Sequence, residues 1–211
     1  MMLKRFVLFS VLLITGYQAH AQMPLAAGDR WTFDATNEYQ GKVVTSEITR
    51  QVTQTEPELI RLEVITKSSG ADTKMSETRD RNLNIVESGK LRYIPNLGLF
   101  QFPLTAGKRE FAIERLQIES GRMIKMEGTV EVFPMQKTSV PAGEFDTFEI
   151  VANGRFIDPK ASTSSRYQTR AWYAPKVGFF VKQENLERNN QDTANFSQYK
   201  AELKSFELQP R

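Results

Sequence analysis

Apolar and polar residues alternate over short runs along most of this chain, and Gly, Pro, Asn or Asp separates one run from the next. Between Leu59 and Thr66, the residues Ile60, Leu62, Val64 and Thr66 share one phase, while Arg61 and Glu63 fall in the other. Near the end, Tyr199, Ala201 and Leu203 alternate with Lys200, Glu202 and Lys204. A period of two puts the two sets on opposite faces of a strand. Opposite charges along one set mark a face turned to water, with the apolar set turned inward. Comparable runs, rich in β-branched and aromatic residues, lie at about 29–36, 42–53, 73–79, 83–87, 110–120, 122–133, 144–155, 166–174 and 178–187.

Several joints between runs have an identifiable chemistry. Ser120-Gly121 leaves almost no loop between two runs, which predicts a tight hairpin. Pro141-Ala142-Gly143 and Ala174-Pro175-Lys176-Val177-Gly178 each pair a fixed φ with a permissive glycine before a new aromatic run. The expected fold is therefore all-β: one curved, mostly antiparallel sheet or half-barrel in a single domain over residues 22–211. Only 185–198 leaves room for a short helix, and Asn189-Asn190-Gln191-Asp192 favours a loop there. Pro24-Leu25-Ala26-Ala27-Gly28-Asp29-Arg30 and Pro103-Leu104-Thr105-Ala106-Gly107-Lys108-Arg109 agree at five of seven positions, each just before an aromatic strand start. Two related strand groups, or two turns sharing the same punctuation, account for the echo.

The first 21 residues break the pattern. A basic start with Lys4 and Arg5 leads into the apolar stretch from Phe6 to Ile14, and a polar tail ends Ala19-His20-Ala21. These are the three regions of a Sec-type secretory signal, with an apolar core too short to cross a bilayer. The expected product starts at Gln22 and is periplasmic or secreted. No later window is apolar enough to form a transmembrane helix. There is no Cys to carry an N-terminal lipid or to form a disulfide.

Removing residues 1–21 also changes the charge and the chemistry. It takes away Lys4 and Arg5, so that 26 basic residues face 25 acidic ones, and it takes away His20, the only histidine. No basic stripe remains for nucleic acid. Without His or Cys, the usual zinc sites, imidazole-dependent triads, thiol redox chemistry and haem or iron–sulfur ligation are all excluded. No cofactor, metal site or catalytic residue is expected. Glu127, Glu131, Glu144, Asp146 and Glu149 could serve a carboxylate-pair hydrolase, but their spacing fits solvated strand positions. Asp72, Asp80 and Asp158 lie in turns that lack an ordered calcium loop. Arg155, Arg166 and Arg170 read as one strand face, either solvated or meeting an anionic head group.

Aromatic residues are the one enriched feature, with 14 Phe, 6 Tyr and 2 Trp. They gather near Trp31-Phe33, Tyr93-Phe100-Phe102, Trp172-Tyr173 and Phe179-Phe180, with Met123, Met126 and Met135 on the middle strands. Soft methionines and flat rings suit either a packed core or a greasy cavity on a concave sheet face. As a cavity, its candidate ligand-binding residues are Trp31, Phe33, Tyr93, Phe102, Met123, Trp172, Tyr173 and Phe180.

The stretches Val140-Pro141-Ala142-Gly143-Glu144-Phe145 and Trp172-Tyr173-Ala174-Pro175-Lys176-Val177-Gly178 resemble turns of uncharacterised exported bacterial β-sheet domains. That group is similar to the half-barrels of LolA-type lipoprotein carriers. The resemblance implies a periplasmic or secreted bacterial protein and supplies no catalytic residues. The expected function is binding of a hydrophobic or amphiphilic ligand, such as a lipid, on the concave face. A structural or interaction module bound to an envelope protein is the alternative, and a carboxylate-dependent hydrolase ranks behind both. N-terminal sequencing of the exported protein should begin at Gln22; a product retaining Met1 would overturn the assignment of residues 1–21.

Overall fold

The computed structural model describes residues 22–189 and 196–211. Residues 1–21, read above as an export signal, and Asn190-Gln191-Asp192, read as favouring a loop, lie outside them. Among the described residues there are thirteen strands and no helix. They are β1 (Arg30–Tyr39), β2 (Lys42–Thr55), β3 (Leu59–Ser68), β4 (Thr73–Asp80), β5 (Ile85–Ser88), β6 (Leu91–Ile94) and β7 (Gly107–Gln117). There follow β8 (Arg122–Val132), β9 (Gln136–Val140), β10 (Gly143–Asp158), β11 (Thr163–Ala174), β12 (Phe179–Asn189) and β13 (Phe196–Glu207). The described parts of 185–198 are strand, so the short helix expected as an option there is absent from them.

Each strand pairs antiparallel with the next, except that β9 pairs only with the first half of β10, whose second half pairs with β8. β13 then returns to β1, in register from Arg30↔Glu207 to Tyr39↔Ser197 with one bulge between Thr32 and Phe33. The sheet thus closes into a twelve-stranded barrel, which corrects the expected open sheet or half-barrel. Local alternation records which face of a strand is buried. It carries no record of whether two strands more than 150 positions apart will pair.

The echoed segments precede β1 and β7, the first strands of two sets of six around the ring, and both Leu25 and Leu104 are buried. Between Gly128 of β8 and Gly154 of β10, which face each other, the backbones come unusually close. A Cβ on Gly128 would lie 2.1 Å from the Asn153 carbonyl oxygen.

Strand direction places the N-terminal segment, the 95–106 loop, the β11–β12 turn and the C-terminus at one end. That end is filled. Trp31 stacks on Phe179 at 4.6 Å and donates its indole N–H to the Val177 carbonyl at 3.1 Å. Phe33 packs on Phe180, and Phe102 meets Tyr173 edge-on at 5.1 Å. Asn84 holds the 95–106 loop inside the barrel by donating Nδ2–H to the Phe100 carbonyl and accepting the Phe100 N–H. Buried Asp29 ties down both chain-end segments, accepting from the N–H groups of Ala26 and Gln209 at 2.8 Å each and from Arg211.

The outer face is charged. Glu47 pairs with Lys204, Glu63 with Lys74, Glu149 with Arg170, and Lys182 with both Glu184 and Glu202. This inside-out relation is the reverse of a lipid-facing barrel, whose outer band is apolar. Gly154→Ala should cost about 1–3 kcal/mol in urea unfolding, because its Cβ would lie 2.5 Å from the Glu127 carbonyl oxygen. Gly70→Ala, with no atom within 4 Å of its Cβ, should stay within about 0.5 kcal/mol of wild type.

Candidate functional site: a lumen open at one end

The other end carries the turns of the β1–β2, β3–β4, β5–β6, β7–β8 and β10–β11 hairpins and, among the described residues, no plug. Three spaces that share wall residues lead inward from it. The mouth, of approximately 500 Å³, is bounded by Tyr39, Arg122, Ile124, Asp158 and Thr163. Asp158 accepts from Arg122 Nε at 2.6 Å and from the N–H groups of Lys160 and Ala161, which hold its carboxyl below the ordinary 3.8 against the opposing effect of burial.

Arg115, Phe156, Glu187 and Ser197 line both the mouth and a middle chamber of approximately 330 Å³. One side of the chamber is apolar, formed by Ile85, Leu97, Leu99, Met126 and Phe156. The other presents Asn37, Thr169, Gln183, Asn185 and Tyr199. Tyr93 and Tyr167 stand with the apolar side, and burial pushes both phenols up. Tyr167 stacks on Phe156 at 4.5 Å, and its hydroxyl has no hydrogen-bond partner. Ile85, Leu97, Leu99 and Gln183 continue from the chamber into a floor space of approximately 60 Å³.

The floor is ionic, and Arg50 of β2 and Arg79 of β4 line it with Phe180. Arg79 donates Nε–H to Glu77 at 2.7 Å and Nη1–H to the Leu83 carbonyl at 2.6 Å, with its guanidinium 4.9 Å above the Phe179 ring. Burial is the largest influence on Glu77 and raises its pKa. Arg79 and Arg50, with hydrogen bonds from Arg79 and Ser88, outweigh it and hold the carboxyl below the ordinary 4.5. Burial lowers the Arg79 value, against the pull of Glu77; a guanidinium nevertheless stays cationic. Arg50 is 8% exposed, with its guanidinium carbon 5.5 Å from the ring centres of both Phe33 and Phe180. Its Nε stands 4.0 Å from Glu77, beyond hydrogen-bond range, and neither Nε nor Nη1 has an acceptor.

The residues singled out from sequence fall into three groups. Trp31, Phe33, Phe102 and Tyr173 belong to the plug, where burial pushes the Tyr173 hydroxyl up to about 12. Tyr93 and Phe180 line the lumen, one in the chamber and the other at the floor. Met123 and Trp172 stand on the outer face and do not reach the lumen. Ile124 and Ala171, their inward-facing neighbours, set the alternation, and Arg170 and Lys182 cover the Trp172 ring. Aromatic and methionine content had grouped all eight together, and register separates them.

Arg155, Arg166 and Arg170 do share a face, and it is the outer one. The five candidate carboxylates also lie outside. Glu127 pairs with Lys125, Glu144 and Asp146 with Lys137, and Glu149 with Arg170; Glu131 shares their face on β8. The sequence reading missed Arg50, Glu77 and Arg79. The signal that marks Arg50 is a charged residue in the apolar phase of a strand, between Ile48 and Val52.

Fold and site together define a closed antiparallel barrel, plugged at one end and hollow at the other. No protein-family profile and no curated protein matches the sequence. Among solved structures, a candidate lipoprotein of Parabacteroides distasonis ATCC 8503 shares the fold at a TM-score of 0.56 and 15% identity, over 90% of this chain and 100% of that one. A candidate exported protein with YmcC-like fold from Bacteroides fragilis NCTC 9343 does so at 0.52 and 14% identity, over 89% of this chain and 99% of that one.

Glu77→Gln should lower stability at neutral pH by about 3–5 kcal/mol, because two buried guanidinium groups lose their carboxylate. Since the folded carboxyl titrates below 4.5, its contribution is complete above that pH and is lost as pH falls through the depressed folded value. The gap between wild type and Glu77→Gln in urea unfolding should therefore narrow in acid. A gap independent of pH would contradict an ionised Glu77.

Proposed function

We propose that this protein is an exported, non-enzymatic binding protein of the bacterial envelope that holds a hydrophobic or amphiphilic ligand in its barrel lumen. The observation that carries this reading is the middle chamber: approximately 330 Å³, apolar on one side and rich in amides and hydroxyls on the other, and sharing wall residues with an open mouth. Pockets of about 300–1,000 Å³ with apolar walls and a few convergent polar groups are characteristic of small-molecule sites. Export is supported by the signal-like residues 1–21 and by the lipoprotein and exported descriptions of the two proteins that share the fold. In this reading Tyr93 and Phe180 contact the ligand, while Trp31, Phe33, Phe102 and Tyr173 support the lumen from beneath.

The alternative, a module that recruits a partner along a strand edge, has little edge to offer. Ring closure pairs both sides of every barrel strand, and β9 is left with one unpaired side five residues long.

An apolar naphthylamine dye should bind the purified protein, and Thr169→Trp, which places an indole in the chamber, should weaken binding at least about tenfold. Native mass spectrometry of protein taken from the periplasm should show a copurifying amphiphile. Dye binding unchanged by Thr169→Trp would move the site out of the lumen, and the absence of both dye and amphiphile would remove the carrier reading.

A further inference from the structure

We infer that the ligand enters head first, as an amphiphile with a carboxylate head on Arg50 and an apolar tail along the Ile85–Phe156 side of the chamber. The inference rests on the lumen being a ligand cavity and specifies which class of ligand fits it.

Three observations converge on the floor. The first is hydrogen bonding. Arg79 has its Nε and Nη1 donors satisfied by Glu77 and Leu83, whereas Arg50, equally enclosed, has two N–H groups with no acceptor and lines the floor space. Buried guanidinium donors call for an acceptor, and an ionised one gives the stronger bond.

The second is charge. Arg79 takes Glu77 at hydrogen-bond distance and is also acted on by Asp80, next along β4, whose carboxylate accepts from the N–H and Nδ2–H of Asn84 and from Nδ2–H of Asn96. Arg50, with Glu77 at 4.0 Å, is the guanidinium left without a close counter-ion. A singly charged head supplies one. A phosphate monoester, nearer two negative charges at neutral pH, brings more than the one guanidinium balances.

The third is size. At about 10–15 Å³ for each water-sized group, the approximately 60 Å³ floor space holds a carboxylate and leaves no room for a sugar. The rings of Phe33 and Phe180 flank the guanidinium, exclude water from the pairing and so strengthen it.

Two further cations line the mouth: Arg122, which is paired with Asp158, and Arg115, which sits 4.4 Å over the Phe156 ring, hydrogen-bonds Tyr93 and has no carboxylate partner among the described residues. Arg115 is the competing head-group site, and the test separates it from Arg50.

The full chain should be titrated with cis-parinarate, a fluorescent fatty acid. The probe is then displaced by dodecanoate, dodecanol, dodecyl phosphate and dodecyltrimethylammonium, in wild type, Arg50→Met and Arg115→Gln. In wild type, dodecanoate should bind at least about tenfold more tightly than dodecanol or the ammonium compound, and more tightly than the phosphate. Arg50→Met should abolish that preference, weakening dodecanoate far more than dodecanol, and Arg115→Gln should keep it.

Equal affinities in wild type, a preference for phosphate, a preference that survives Arg50→Met, or one lost in Arg115→Gln each overturns the head-group assignment. Lumen binding still stands in those cases, provided dodecanol displaces the probe. If no amphiphile binds, both readings fall. The wild-type ligand series decides the question even if Arg50→Met does not fold.

Discussion

The pairing of β1 with β13 is the constraint on which the rest of the molecule depends. Without it the sheet would present two long edges, each a row of unpaired donors and acceptors. With it, every inward side chain faces a common interior, and the circumference is set by twelve strands. Barrel diameter grows with strand number, and about eight strands already enclose a space that inward side chains just fill. Twelve enclose more than this chain's inward residues can pack, so part of the interior must be filled by other means or stay hollow.

Both outcomes occur, at opposite ends. The 95–106 loop folds into the barrel and packs Leu99, Phe100, Phe102 and Leu104 against Trp31, Tyr173 and Phe179. Its backbone cannot rely on water inside, so Asn84 and Arg109 supply hydrogen bonds to Phe100, Gly98 and Leu99. The opposite end carries tight turns and, among the described residues, no such insertion, and the unfilled volume opens there. The lumen is thus what twelve strands enclose less what one loop occupies.

Between plug and lumen lies the Arg50–Glu77–Arg79 cluster. Charges in such a place are costly unless paired, and an apolar replacement is often no less stable. Here the ionic groups form the floor of the lumen, where their field acts at low effective dielectric. The aromatic rings beneath them serve both ends: they complete the packed core and present their faces to the guanidinium groups.

Much of this was legible in the residues alone. Period-two alternation gave the strands their faces, Ser120-Gly121 marked a hairpin and Pro141-Ala142-Gly143 a turn that are both present, and the lack of Cys, with His20 the one histidine, narrowed the chemistry. Short β6, over Leu91–Ile94, escaped notice because four residues carry too little periodicity to stand out. Pairing between distant strands, the inward fold of the 95–106 loop, and the separation of Phe180 from Trp172 are tertiary outcomes. So is the meeting of Arg50 with Arg79, 29 positions apart, on the floor of one cavity. Alternation along a strand is local physics and survives in one dimension, whereas an interior belongs to a closed ring and exists only once its ends have met.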